Sequence, residues 1–438
     1  MKFFRYRDIF IVLGAVVVLA VGVFFVLQYK NIFTEQSVPV VASTDSNDAS
    51  TVLIVPQIPS PPPPPQKLSN PPEIIKAVYM TGYSAGSKKY LDYLSSLFKN
   101  TEINAVVVDI KGSSGYVSYN SAAADVKKYN LYGGAIKDID ELVRFFHDQN
   151  IYVIGRIAVF EDPMYSKVRP ELAIYDKIKT AELVSLEPAS LEPSRRVLWR
   201  DNNNLSWLDP DSKDGWDYNI SLAKDAFYHG FDEMNFDYIR FPSDGNMGNI
   251  GYPVWDGKMS KADVVKEFFM YLRANLSNEK ISVDLFGQTT TNTDDMGIGQ
   301  IIENAFENFD YISPMVYPSH YINGFMGFAN PADHPYEIIK YSMETALSRE
   351  KKYADFFVSI SSSGSTPEEK INILAKKLAE FRPWLQDFNM GAYYTSDMVR
   401  AEIKATQDAL GDSYNGFMLW NPSNIYTQDA VKIETKPE

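Results

Sequence analysis

The stretch Gly230-Phe231-Asp232-Glu233-Met234-Asn235-Phe236-Asp237-Tyr238-Ile239-Arg240-Phe241-Pro242 sets polar side chains at alternate positions, Glu233, Asn235 and Asp237. A strand repeats every two residues, so these three share one face while Met234, Phe236 and Tyr238 share the other. Polar groups pointing into a closed sheet are costly unless paired or solvated. This strand is therefore read as ending at a wet mouth, with Asp237 the residue that meets substrate. Arg240 follows within a few residues and is placed to hold Asp237 ionised. The competing reading is a structural Asp–Arg pair that closes the loop.

Three more apolar runs carry an acid. Val106–Lys111 ends with Asp109 and Lys111, two apart and so on one face; Ile281–Gly287 carries Asp284; Arg382–Phe388 carries Asp387 near its end. A single Asp there is as often a helix cap or a loop anchor. Four acids at the strand ends of one barrel point instead to acid–base chemistry. Glycoside cleavage commonly uses two carboxyl groups, one giving a proton and one ionised as nucleophile or base. Tyr317, His320, Tyr321, Trp384 and Trp420 are the aromatic candidates to stack on a sugar, although core packing is the commoner use of such rings.

Bringing these acids to one end requires a scaffold of parallel strands. The predicted strands are Ile75–Met80, Ala105–Ile110, Tyr152–Ala158, Glu233–Tyr238, Ile281–Phe286, Tyr311–Val316, Trp384–Phe388 and Gly416–Trp420. Amphipathic stretches lie between them, with stripes at Leu91/Leu94/Leu97/Phe98, Ile139/Leu142/Val143/Phe146 and Val264/Val265/Phe268/Phe269/Leu272. Eight strands alternating with helices predict an α/β fold, a closed (β/α)₈ barrel over residues 74–430, with its chemistry at the strand C-termini. An open doubly wound sheet is the rival, but no Gly-rich phosphate loop follows the first strand.

Ahead of the barrel, Lys2, Arg5 and Arg7 precede an uncharged run from Ile9 to Leu27. A run of about 19 residues suffices for one helical crossing, and basic residues before it direct the remainder outward. The expectation is a short cytoplasmic segment at 1–8, a single-pass membrane anchor at 9–27 and an extracytoplasmic barrel. A cleaved signal peptide is the alternative. Residues 28–73 lose periodicity and include Pro61–Pro65, which predicts a disordered, extended spacer. Residues 431–438 are read as a tail.

Among 438 residues the net charge is −14, which argues against nucleic acid as a partner. The absence of cysteine removes disulfides and thiolate chemistry. Four histidines, two of them on predicted helices, make a His-rich metal centre a poor prospect; no metal and no cofactor are expected. Oligomeric state is left open.

Several segments resemble a bacterial family of glycoside hydrolase-like domains. They are Trp207–Pro210, Trp216–Asn219, Gly230–Glu233, Phe236–Pro242, Ser313–His320, Arg382–Phe388 and Leu419–Asn424, in order from about Ile74 to Tyr426. The resemblance implies a TIM barrel distantly similar to the α-amylase superfamily. By that analogy Asp237 is the nucleophile, Asp284 the general acid/base and Asp387 a transition-state stabiliser. Asp284 departs from the pattern, where the fifth-strand acid is normally Glu; Glu161 or Asp162 is the substitute proton donor. Asp109, Lys111, Glu161, Arg240, Tyr317, His320, Trp384, Trp420 and Asn421 are then the substrate-binding set. The substrate class expected is an extracellular or cell-wall polysaccharide. A non-catalytic carbohydrate-binding protein on the same scaffold is the alternative.

Overall fold

A computed structural model describes residues 63–186, 196–362 and 378–433. Eight strands form its centre: β1 (Ile75–Met80), β2 (Ala105–Lys111), β3 (Tyr152–Ala158), β4 (Glu233–Asp237), β5 (Ile281–Phe286), β6 (Tyr311–Met315), β7 (Trp384–Gln386) and β8 (Gly416–Trp420). Each pairs in parallel with the next, and β8 closes on β1 with Ile75–Val78 opposite Gly416–Leu419. The seam between β6 and β7 is the narrowest, with Trp384 opposite Met315, and Glu380–Phe381 extends it against Tyr311–Ile312.

Alternation along the strands separates two apolar layers. Ile75, Ala77 and Tyr79, with Ala105, Val107, Tyr152 and Ile154, cluster inside the barrel, whereas Val78, Met80, Val106, Val108 and Val153 join the larger core beneath the helices. Among the described residues, six helices cover that outer face: α1 (Lys88–Asn100), α2 (Ile139–His147), α3 (Lys213–Tyr228), α4 (Lys261–Asn275), α5 (Pro335–Ser362) and α6 (Ser396–Leu410). The α2 and α4 stripes are buried in full; in α1, Leu94 and Leu97 are buried while Leu91 and Phe98 are half-buried. Side-chain oxygens of Asp138, Ser212, Ser260 and Thr395 cap α2, α3, α4 and α6, each satisfying an otherwise orphaned amide.

Four expected boundaries move; β6 stops at Met315, one residue short of Val316. β4 ends at Asp237, because Tyr238 has φ +54° and leaves the strand direction. β7 stops at Gln386, short of Phe388. β2 runs on to Lys111, with a register shift between Asp109 and Lys111 that puts Asp109 opposite Arg156 and Lys111 opposite Ile157. The long loops after β3 and β4 pair with each other through Tyr175–Asp176 and Ile250–Gly251, thickening the rim at the strand C-termini.

The described end of the proline-rich segment lies against the opposite end of the barrel. Leu68 N donates to Asp232 Oδ1 at 2.6 Å, Lys67 sits 4.5 Å over the Phe227 ring, and Leu68 packs beside the inner cluster. An extended proline segment leaves its backbone free to bond elsewhere, which fits this docking. Residues 63–73 are thus not a spacer without barrel contacts. The expected membrane segment at Ile9–Leu27 and the rest of the spacer to residue 62 lie outside the described residues. Among the described residues, no helix is long and apolar enough to cross a membrane.

Candidate active site

Arg156 organises the mouth. It lies on β3 in phase with Tyr152 and Ile154, so the two-residue repeat carries its guanidinium into the interior. Nη1 donates to Asp109 Oδ1 at 2.6 Å, Nη2 donates to Asp237 Oδ2, and Nε lies 3.7 Å from Asp284 Oδ2. Burial works against this charge, but the attraction of Asp109 and Asp237 outweighs it and holds the guanidinium protonated. Tyr79 completes the cluster by donating to Asp109 Oδ2 at 2.6 Å. Its ring stacks on Trp420 with centroids 4.0 Å apart.

Above this cluster opens a cavity of about 580 Å³ at the C-terminal ends of β3–β8. Its lining includes Arg156, Glu161, Asp237, Tyr238, Arg240, Asp284, Tyr317, His320, Trp384 and Trp420. The left-handed turn at Tyr238 serves this arrangement. Its amide donates to Asp237 Oδ1 at 2.6 Å, and the ring turns from the outward face into the cavity wall. Such a conformation is uncommon for a bulky residue and concentrates at functional sites.

Glu161 follows β3, held by a bridge to Trp207. Only 3% of its surface is exposed and Oε2 has no hydrogen-bond partner among the described residues; burial pushes its carboxyl up to about 7. Asp284 is more enclosed still. Asn235 Nδ2 and Trp384 Nε1 donate to its Oδ1 at 2.8 and 2.7 Å, while Oδ2, 3.7 Å from Arg156 Nε, accepts no hydrogen bond among the described residues. Burial, and then the charge of Asp237, push this carboxyl well above the usual range. One layer deeper, Glu233 pairs with Arg382 and accepts from Ser282 Oγ at 2.6 Å, all three fully buried. The polar run of β4 thus has partners at each level, as the cost of burying such groups demands.

The structure does not gather every expected residue. The register shift in β2 breaks the shared face of Asp109 and Lys111. Lys111 Nζ instead bonds Asp162 Oδ2 at 2.6 Å, and neither side chain has any exposure. Asp387 is outside the cavity lining; Thr427 donates to both its oxygens, from Oγ1 at 2.6 Å and N at 2.8 Å. Asn421 Nδ2 donates to the Asp387 and Ile425 carbonyls and likewise shapes the β8 loop. Trp384 borders the cavity at 1% exposure, with its indole committed to Asp284. Arg240 does not bond Asp237; Nη1 donates to the Phe241 carbonyl and Ser243 Oγ, both at 3.2 Å. Tyr317 is buried, and His320 is exposed at the rim, where Ser319 Oγ lies 3.2 Å from its Nδ1.

Arg156, Tyr79 and Tyr238 were missed in the sequence. Arg156 had a visible signal, a lone charge on the inward phase of an otherwise apolar strand. Among the described residues, no group of three or more His, Asp or Glu side chains is placed to hold a metal.

An eight-stranded parallel barrel with acids at its C-terminal mouth is the architecture of many enzymes. The chain belongs to the family described as a "putative glycosyl hydrolase domain", whose model matches residues 77–426. No curated protein matches its sequence. Among solved structures, it is 37% identical to a hypothetical protein from Ruminiclostridium thermocellum ATCC 27405, over 50% of this chain and 98% of that one, with a TM-score of 0.41. It is 12% identical to the PgaB (BpsB) glycoside hydrolase domain from Bordetella bronchiseptica, over 83% of this chain and 100% of that one, at TM-score 0.48. The α-galactosidase TtGalA from Thermus thermophilus is 11% identical, with 83% of this chain and 61% of that one covered, at TM-score 0.43.

Proposed function

We propose that the protein cleaves or transfers glycosidic bonds of a polysaccharide, with Asp237 as nucleophile and Glu161 as proton donor. One observation carries this reading: two carboxyl groups line the same cavity in opposite electrostatic settings. Asp237 is salt-bridged to Arg156, whereas Glu161 is buried, forms no ion pair among the described residues and has its carboxyl pushed up to about 7. Pairs of acids pushed apart in this way mark the acid and base roles of a site. Glu161 would protonate the glycosidic oxygen as the bond to the anomeric carbon breaks. Asp237 would form the bond to that carbon, and water would later displace it while Glu161 takes back a proton. Trp420 and Tyr317 supply the walls on which a sugar ring can stack.

In this reading Asp284 supports Asp237 from beneath, its own ionisation disfavoured by burial and by the Asp237 charge, and Asp387 secures the β8 loop. Both Asp237 oxygens already accept protein hydrogen bonds, which favours a second reading, a carbohydrate-binding protein without turnover. A polysaccharide panel with reducing-end detection separates the two. Release of reducing ends that disappears in Asp237→Asn and Glu161→Gln supports hydrolysis; binding without release, or release unchanged in both variants, overturns it.

We also propose that Ile9–Leu27 anchors the chain with the barrel extracytoplasmic, supported by the basic residues before that run. Protease digestion of intact cells should remove the barrel; protection of it until lysis overturns this topology.

A further inference from the structure

The least satisfied charge at the cavity wall is Arg240. Its side chain is clamped between aromatic rings, with the guanidinium carbon 4.7 Å from the centroids of Trp207 and Phe286 and 5.3 Å from that of Tyr238. These contacts fix the plane of the group. Nη1 is spent on the Phe241 carbonyl and Ser243. The Nε–Nη2 edge bonds no described residue, and Arg240 forms no salt bridge among them, although the residue is only 7% exposed and lines the cavity.

A buried cation that lines a cavity and leaves a donor edge unbonded is incomplete by itself, since guanidinium edges match carboxylate and other oxyanions in paired N–H···O geometry. The surrounding acids do not complete it. Asp237 is tied to Arg156, Asp244 Oδ1 accepts from Asn202 N, and neither Glu161 nor Asp244 forms a salt bridge with Arg240, although their charges favour its cationic form. We infer that Arg240 receives an anionic substituent of the substrate, so that the cavity takes an acidic glycan, one bearing a sugar carboxylate or sulfate ester. This rests on the reading of the cavity as a carbohydrate site and adds the charge of the sugar that fills it. Asn203 and Ser243 also line the cavity and carry polar groups able to bond the hydroxyls of a sugar.

The test measures binding and cleavage separately on the full chain, against polyuronates, sulfated glycans and their neutral counterparts. Wild type should bind at least one acidic class more tightly than its neutral counterpart by about tenfold or more, as expected of a desolvated charge pair. Added salt should weaken that preference. Arg240→Gln should abolish the preference, so that affinity for the acidic glycan falls to that for its neutral counterpart. Arg240→Lys should recover part of it, because the charge returns without the fork. A response confined to polyuronates or to sulfated glycans identifies the anion and supports the site.

Melting temperatures of both variants show whether the folded proteins are being compared. If Arg240→Gln does not fold, the wild-type preference and the Arg240→Lys result decide alone. Equal affinity for acidic and neutral glycans, a preference for neutral ones, or a preference unchanged in whichever Arg240 variant folds would overturn the inference. Cleavage of neutral glycans alone would do so while leaving the hydrolase reading intact. Acid-selective binding without cleavage would do the reverse.

Discussion

Trp384 donates its indole Nε1 proton to Asp284 Oδ1 at 2.7 Å, and neither side chain has more than 1% exposure. A tryptophan that looked like a sugar platform is therefore a support for an acid. Trp384→Phe keeps most of the packing against Tyr79 and Trp420 but removes a donor from a buried group already short of partners. The expected loss is about 1–3 kcal/mol of stability. Urea denaturation measures it, and an unchanged midpoint would show the bond to be dispensable.

Asp237→Asn should leave the barrel folded, because Arg156 retains Asp109 and Asp284 as neighbours. Turnover should fall by roughly 10³-fold or more, since an amide cannot supply the charge demanded by an oxocarbenium-like transition state. If the pair is structural only, the variant melts earlier while the specific activity of its folded fraction stays normal. Both quantities can be read on one preparation.

Glu161 links activity and stability to pH. Burial raises it from 4.5 to about 7 in the folded protein, so kcat/KM should decline as pH rises through about 7 and the proton donor is lost. Below 4.5 both folded and unfolded chains hold this proton. Between 4.5 and 7 only the folded chain keeps it, so stability falls as pH rises and the loss levels off above 7 at roughly 3 kcal/mol. Glu161→Gln should flatten that part of the stability profile and be more stable than wild type at pH 8. A variant whose profile parallels wild type would place the titration elsewhere.

Lys111→Met should act on stability alone. It strands Asp162 in a fully buried position, at an expected cost of about 3–5 kcal/mol, and the double change with Asp162→Asn should recover much of it. Glycan affinity of the folded fraction should not move. A weakened affinity in the stable double variant would restore Lys111 to the binding set.

The proline-segment contacts can be weighed by truncation. A chain beginning at residue 63 retains the Leu68–Asp232 bond and the Lys67 contact with Phe227; one beginning at 74 loses both. The shorter chain should be less stable by about 1–3 kcal/mol. Equal denaturation midpoints would return residues 63–73 to the role of a passive spacer.

The barrel was legible in the sequence because its determinants are local. Apolar runs such as Ala105–Ile110 and stripes such as Val264–Leu272 must bury one face wherever they occur, and their alternation leaves few architectures. The β4 phase likewise identified Glu233 and Asn235 as inner residues and brought Asp237 to the mouth. What joins those acids is not local. Arg156 bonds Asp109 and Asp237 across 47 and 81 residues of chain, and that choice of partners exists only once β2, β3 and β4 are adjacent. The register shift that sends Lys111 away from Asp109, and the left-handed turn that brings Tyr238 inward, each reverse a side chain by moving the backbone a single step. A period of two cannot reveal such a step, because a one-residue slip exchanges the faces of a strand while leaving its composition unchanged.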